Sequence, residues 1–184
     1  ILIWNSFPTR NGQPADIVLE GVPPDPERPE TYRRAIAWPW GVWTDGKKLV
    51  VSSTGAGLIL IWNSFPTEDN QPADIYIKGD FLGTPRQITS NGNFLIVGDH
   101  NPKINGSSVS HSVSFVWKTF PSRDNQPYDF YLKDPVDPAS WLRGDVTPDG
   151  KLILFGTRLH IWNSFPKGPE DKPDLTLEFN CRWG

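Results

Sequence analysis

Leu58-Ile59-Leu60-Ile61-Trp62-Asn63-Ser64-Phe65-Pro66-Thr67-Glu68-Asp69-Asn70-Gln71-Pro72-Ala73-Asp74-Ile75-Tyr76-Ile77 decides the fold, because the chain writes it, with variations, four times. Its centre, Trp-Asn-Ser-Phe-Pro or a near copy, starts at Trp4, Trp62, Trp117 and Trp162. An Asp follows twelve residues later in every case: Asp16, Asp74, Asp129 and Asp174. The tryptophans stand 58, 55 and 45 residues apart. A period of about 50 residues marks a solenoid, a propeller or an array, whose units cannot bury their faces alone and stack on their neighbours.

On either side of the motif, apolar runs and turn signals divide the chain into short strands. In the first full unit the sequence predicts strands at 41–44, 48–52, 58–62 and 74–77. The second repeats the plan at 88–89, 94–97, 113–117 and 129–132, and the third at 145–147, 152–155, 159–162 and 175–177. Asp45-Gly46, Asn91-Gly92 and Asp149-Gly150 separate the first two strands of each unit. They read as type I′ hairpin turns, which need positive φ at both central residues. Four short antiparallel strands per unit is the pattern of a propeller blade. The expected fold is therefore all-β: a single partial β-propeller of about three and a half blades spanning 1–184. Residues 1–20 supply a half blade, 36–79, 85–133 and 143–179 supply blades, and 180–184 start the next. A closed ring needs about four to eight blades, so either further chain or another subunit completes it; further chain is the expectation, because a second copy would also lack the two strands that finish the half blade.

Composition agrees with that plan. Nineteen Pro and sixteen Gly in 184 residues exclude long helices, and nine Trp with ten Phe supply flat apolar surface for sheet packing. Eighteen basic against 21 acidic residues give a formal charge of −3, which is no footprint for a nucleic-acid partner. No apolar run reaches the roughly 18–20 residues of a membrane span, so membrane insertion is not expected. The lone Cys181 allows no internal disulfide. A chain that begins at Ile1 inside a repeat and contains no Met reads as a piece of a longer protein.

The stretch Phe94-Leu95-Ile96-Val97-Gly98-Asp99-His100-Asn101, followed by a strand that ends in Val116-Trp117, resembles the NHL repeat. So do Ile59 to Pro66 and Asn70-Gln71-Pro72-Ala73-Asp74-Ile75. More narrowly, the chain resembles bacterial NHL-repeat proteins that carry IWNSFPTxxxQPAD in each blade. The resemblance covers almost the whole chain. It implies a propeller, commonly six-bladed, in exported proteins (extracellular or periplasmic) of unassigned function. The second unit departs from the pattern with Lys118-Thr119, the third lacks the Gln and the Ala, and the first and third hairpins lack the Asp-x-x-Asn of NHL repeats.

An element present in every blade is expected to serve the blade. The Trp packs between sheets, the Phe-Pro stops strand pairing, and the Asp caps the turn that follows it. Function is sought where the units differ. Leading into the first strands are Trp38, Pro39 and Trp40, then Pro85, Arg86 and Gln87, then Trp141, Arg143 and Asp145, and last Arg182 and Trp183. Of these, Trp40, Arg86, Gln87, Arg143 and Asp145 form the candidate ligand group at the channel mouth, suited to a planar, sugar-like or carboxylate-bearing ligand. The alternative is that they plug the narrow end of the channel.

Asp99, His100 and His111, at the two roots of the long insertion 99–111, form a candidate divalent-metal set. The alternative there is a solvated loop with hydrogen-bonded His. His160 occupies the slot of Leu2, Leu60 and Phe115 and is expected to be packed. Asn105-Gly106-Ser107 matches a glycosylation sequon. The Pro-rich segment 21–30 reads as an extended connector that cannot form a helix.

No phosphate loop, Gly-x-Ser-x-Gly elbow, His-Glu-x-x-His or Cys pair is present, so no catalytic residue is assigned. The sequence therefore points to a non-catalytic interaction or scaffold module, with a protein partner or further blades of the same protein. No cofactor is assigned beyond the divalent metal that the Asp/His set leaves open. The alternative, implied by relatives of the NHL propellers, is a metal-dependent enzyme of lyase or lactonase type with its site at the channel mouth.

Overall fold

A computed structural model describes residues 1–137 and 143–178. Sixteen strands follow one another in the described chain: β1 (Leu2–Ile3), β2 (Ile17–Val18), β3 (Pro39–Thr44), β4 (Leu49–Ser53), β5 (Leu58–Trp62), β6 (Ile75–Ile77), β7 (Pro85–Thr89), β8 (Leu95–Asp99), β9 (Lys103–Ile104), β10 (Ser107–Ser108), β11 (Val113–Trp117), β12 (Phe130–Leu132), β13 (Arg143–Val146), β14 (Leu152–Phe155), β15 (Arg158–Trp162) and β16 (Leu175–Glu178). They form three four-stranded antiparallel sheets, β3-β4-β5-β6, β7-β8-β11-β12 and β13-β14-β15-β16. The pairs β1-β2 and β9-β10 stand apart as two-stranded sheets. Each strand expected from the sequence is present, three of them (58–62, 113–117 and 152–155) with the expected ends and the others with an end shifted by up to three residues.

The sheets pack face to face, and alternation along the strands determines which side chain meets which neighbour. From β5, Leu60 and Trp62 pack against Ile3 and Ile17 of the β1-β2 pair, whereas Ile59 and Ile61 face Val113, Phe115 and Trp117 of the second sheet. Leu152, Leu154 and Trp162 of the third sheet close on Phe94, Ile96 and Val116 of the second. Trp62 and Trp117 are completely buried, each in a core shared by two sheets. At their outer edge the sheets are also clasped. Asp124 accepts from Tyr76 N–H and Asn125 from Lys78 N–H, while Asn125 N–H donates to the Tyr76 carbonyl. One unit earlier, Asp69 and Asn70 hold Val18 and Glu20 in the same way. Asn70 and Asn125 both adopt positive φ, 57° and 51°. Asn tolerates that conformation better than most residues.

The repeated motif closes its own loop with the same bonds in all four copies. Trp Nε1 donates to the carbonyl nine residues later: Gln13, Gln71, Gln126 and Asp171. The N–H just after each Trp donates to the Asp at offset twelve, at 2.7–2.8 Å. This corrects the expectation that the Asp caps the turn following it: the carboxylate reaches back across the loop and ties its two ends together. In three copies the Gln side chain bonds the N–H four residues upstream, and in the third full unit Asp171 does so instead. Asp74→Ala is expected to lower stability by about 1 kcal/mol, the worth of one such bond, without disturbing Trp40, Arg86 or Arg143. An unchanged denaturation midpoint would remove the loop-closing role.

The turns need a second correction. Between the first two strands only Gly46, Gly92 and Gly150 have positive φ, so these are not type I′ hairpins. They are wider loops in which the hydroxyl of Thr44, Ser90 or Thr147 donates to the carbonyl four residues on. Asp45 accepts from Lys47 and Lys48 N–H, and those backbone donors hold its carboxyl below the usual range. Both central φ values are positive at Asn105-Gly106, 53° and 76°, where the insertion folds into the β9-β10 hairpin. The Pro-rich connector also departs from expectation, because a 3-10 helix begins within it at Pro29 and runs to Arg34. Proline is accepted in a first helical turn because the N–H it lacks would have no partner there.

Candidate functional site

The first strands of the three sheets approach one another closely, and this is where the units stop repeating. Gly41 of β3 lies so near β7 that a Cβ there would sit 2.0 Å from the Arg86 carbonyl oxygen. Gly144 of β13 meets Thr89 of β7 in a similar way, at 2.8 Å from Oγ1. Buried hydroxyls at the end of β4 lock the contact. Ser52 Oγ accepts from Gly41 N–H at 2.7 Å and donates to the Arg86 carbonyl, while Thr54 Oγ1 donates to the Pro85 carbonyl. Backbone donors and acceptors buried at this junction are thereby satisfied.

Register shifts interrupt both β3 and β7 here, between Pro39 and Val42 and between Pro85 and Ile88. Trp40-Gly41 and Arg86-Gln87 fall inside the two irregular segments. A bulge re-aims the side chains it contains, and Arg86 is carried across to Trp40, its Cζ 4.3 Å from the ring centre. Trp38 and Trp40 meet edge to face at 5.8 Å and stay 63% and 40% exposed. Trp38 holds φ at 45°, an unusual conformation for a bulky residue and one that tends to gather at functional sites.

Arg86, Gln87, Asp99, His100, Ser112 and Arg143 line one shallow depression with a cavity volume of about 10 Å³, roughly room for one water molecule. Burial draws the Arg86 pKa down; Asp99 raises it and Arg143 lowers it further. The His100 imidazole is likewise pushed down by burial and by the Arg86 charge, and its Nδ1 lies 3.3 Å from Ser112 Oγ. Burial pushes the Asp99 carboxyl up, against the N–H groups of Thr84, Gly83 and Asn101 and the Arg86 charge. Those three N–H groups donate to Asp99 at 2.9–3.0 Å, so its oxygens hold a turn together.

Of the five residues expected at a channel mouth, Arg86, Gln87 and Arg143 share this depression, and Trp40 adjoins it through Arg86. Asp145 does not line it; its Oδ1 accepts from Val146 N–H and the residue is exposed. Trp141, Arg182 and Trp183, with Cys181 and the expected start of the next unit at 180–184, lie outside the described residues. The metal set is a correction. Among the described residues no group of three or more His, Cys, Asp or Glu side chains is placed to hold a metal ion. Asp99, His100 and His111 therefore do not assemble as ligands. Asp99 is committed to backbone N–H groups, and His100 belongs with the arginines.

Sequence reasoning missed a buried polar pair at the junction of the second and third sheets. His160 and Asp134 are almost wholly inaccessible, and His160 Nε2 lies 3.1 Å from Asp134 Oδ2, within ion-pair range though not aligned as a hydrogen bond. His160 Nδ1 meets Thr176 Oγ1 at 3.0 Å, and Asp134 accepts from Val136 and Asp137 N–H. His160 is packed, as its slot implied, but it has polar partners. A signal was available: 17 residues after the motif Trp the first two units carry Gly21 and Gly79, and only here is there an Asp.

No protein-family model matches the chain, and no curated protein matches it. Among the described residues no helix is long and apolar enough to cross a membrane.

Proposed function

We propose that this chain is part of a β-propeller of the NHL-repeat type, six-bladed when complete, that acts without catalysis as an interaction or scaffold module outside the cytoplasm. One observation carries the reading: the first strands β3, β7 and β13 gather side by side, while β6, β12 and β16 occupy the opposite edges of their sheets. Such an arrangement suits blades set around an axis, with the variable Trp and Arg residues at the inner edge and the repeated loops at the outer one. The extracytoplasmic placement and the blade number rest on the NHL resemblance alone.

Exposed apolar side chains at the ends of the row favour additional contacts. Phe7 is 91% exposed, whereas its counterparts Phe120 and Phe165 pack on Trp43 and Phe94 of the preceding sheet, at 5.8 and 4.4 Å between ring centres. Leu175 and Leu177 on β16 are also exposed. Further blades of the same protein, or a protein partner, would cover such surfaces.

Elemental analysis of the purified protein, before and after dialysis against a chelator, tests the non-catalytic reading. The expected result is less than stoichiometric zinc, copper or nickel and no change in melting temperature on chelation. Stoichiometric metal whose removal lowers the melting temperature would favour a metal-dependent enzyme instead. Electron-microscopic class averages of the natural polypeptide test the ring independently, and an elongated stack without a central channel would refute it.

A further inference from the structure

Residues 19–38 separate β2 from β3, whereas 78–84 suffice between β6 and β7, so the first connector holds chain that no strand requires. Such added loops are where binding residues gather on a rigid scaffold. This one folds back on itself as two walls. Val22 N–H donates to the Arg34 carbonyl at one end and Asp25 N–H to Thr31 Oγ1 at the other, both at 2.9 Å. The Thr31 hydroxyl donates in turn to the Arg28 carbonyl at 2.7 Å. Pro23, Pro24, Pro26 and Pro29 fix φ between these bonds. Gly21 lies so close to the second wall that a Cβ there would stand 1.8 Å from the Ile36 carbonyl oxygen. Between the walls is a cavity of about 400 Å³, with Val22, Pro23, Pro24 and Arg34 among its lining. That volume falls within the roughly 300–1,000 Å³ of small-molecule sites.

The cavity joins an apolar wall to a cation that the fold does not use. Arg33, next in sequence, is bound to Asp124 and to the Asp74 carbonyl. Arg34 Nε is buried without a hydrogen-bond partner, and among the described residues no carboxylate stands within ion-pair range of its guanidinium. A buried donor left unpaired costs stability that an acceptor on a ligand would restore. The other charges of the lining are already engaged: Glu30 bridges to Arg28 at 3.1 Å, and Asp25 Oδ1 accepts from Glu27 N–H at 2.9 Å. With Arg28 and Arg34 set against Asp25 and Glu30, the cavity has no net field to hold a doubly charged anion. A single carboxylate can still take the Arg34 guanidinium in a bidentate pair.

We propose that the first connector binds a small monocarboxylate with an apolar body, the carboxylate paired with Arg34 and the body lying against Val22, Pro23 and Pro24. The walls are tied together before the ligand arrives, so little ordering is lost on binding. Aromatic acids and short alkyl acids share the required chemistry. The site is local to the connector and stands whether or not the sheets belong to a closed ring.

Calorimetric titration of the full chain with sodium benzoate, sodium hexanoate, benzyl alcohol and inorganic phosphate forms the test. Saturable binding of benzoate or hexanoate is expected, the preferred acid telling an aromatic body from an alkyl one. Benzyl alcohol, which lacks the charge, should bind at least about tenfold more weakly than the preferred acid, a difference of about 1.4 kcal/mol, and so should phosphate. Arg34→Gln should weaken the preferred acid by about tenfold or more, while circular dichroism and melting temperature stay near those of the parent protein. Should Arg34→Gln unfold the chain, Pro24→Asp places a like charge on the exposed apolar wall and offers the same readout. Failure of both acids to bind overturns the proposal. So does binding that a folded Arg34→Gln or Pro24→Asp variant leaves unchanged, or phosphate held more tightly than either acid. None of these outcomes affects the ring architecture, which the class averages judge separately.

Discussion

His160→Leu is expected to be among the most damaging single changes in the protein, although Leu is the residue that two other units carry at this position. The Asp134 carboxylate stays behind at the junction of the second and third sheets, fully buried, with its Oδ2 facing an alkyl group. Removing one member of a buried pair typically costs about 3–5 kcal/mol where the other is left uncompensated; Asp134 keeps the N–H groups of Val136 and Asp137, which places the loss toward the lower end. Asp134→Gly should be similarly costly, leaving the imidazole with Thr176 alone. The double variant Asp134→Gly/His160→Leu restores the Gly and Leu that the earlier units use and should recover most of the loss. Recovery will be incomplete, because Val136 and Asp137 N–H lose their acceptor; both residues have some solvent access. Denaturant titration of the four proteins gives the coupling directly. A double-variant loss equal to the sum of the single losses would mean that the two residues contribute separately.

That pair shows where a repeat is most readable. Copies of one motif announce what each unit needs, and the strands, the sheet order and the burial of Trp62 and Trp117 all follow from the four Trp-Asn-Ser-Phe-Pro segments. Local chemistry was read less well. Asp45-Gly46 resembles a two-residue hairpin turn, but hydroxyl bonds from Thr44 and its equivalents stabilise a wider loop needing positive φ only at the glycine. Asn105-Gly106, with the required φ signs, sat in a segment with no alternating apolar pattern to mark its strands. The direction of the Asp bonds was hidden for another reason. A carboxylate can bond N–H groups on either side of it in sequence, and the spacing alone does not say which side is near.

At the candidate site the sequence indicated the neighbourhood but not the grouping. Arg86, Gln87 and Arg143 were legible because the leads into the first strands vary while the rest repeats. Asp99, His100 and His111 read as a candidate metal set, with a solvated loop as the alternative, because they stand at the two roots of one insertion. Successive residues of a strand point to opposite faces, and His100 follows directly on β8. It therefore reaches the arginines, while Asp99 turns to the backbone of Gly83 and Thr84. The bulges that carry Trp40 and Arg86 toward each other leave no mark in the sequence beyond Gly41.

Gly41→Ala is expected to damage both the fold and the site, and the order of effects among three glycine variants tests why. A Cβ at position 41 would stand 2.0 Å from the Arg86 carbonyl oxygen and 3.0 Å from Ser52 Oγ. Neither can retreat freely, since the carbonyl accepts from Ser52 and the hydroxyl also accepts from Gly41 N–H. Strands β3 and β7 must therefore separate, a loss of about 3 kcal/mol by the usual cost of overpacking. Gly144→Ala meets the end of the Leu154 side chain first, at 2.5 Å, which can rotate, so its effect should be smaller. Gly46→Ala meets no atom within 4 Å and suffers only from its φ of 83°, a cost of about 1–2 kcal/mol. Melting temperatures should fall least for Gly46→Ala and most for Gly41→Ala. Of these changes, Gly41→Ala alone moves the Arg86 backbone, so it should also disturb the stacking of Arg86 on Trp40 where the protein remains folded, a change that tryptophan fluorescence reads. If Gly46→Ala proves the most damaging, turn conformation and not strand convergence limits stability, and the close approach of β3 to β7 is not what holds Arg86 in place.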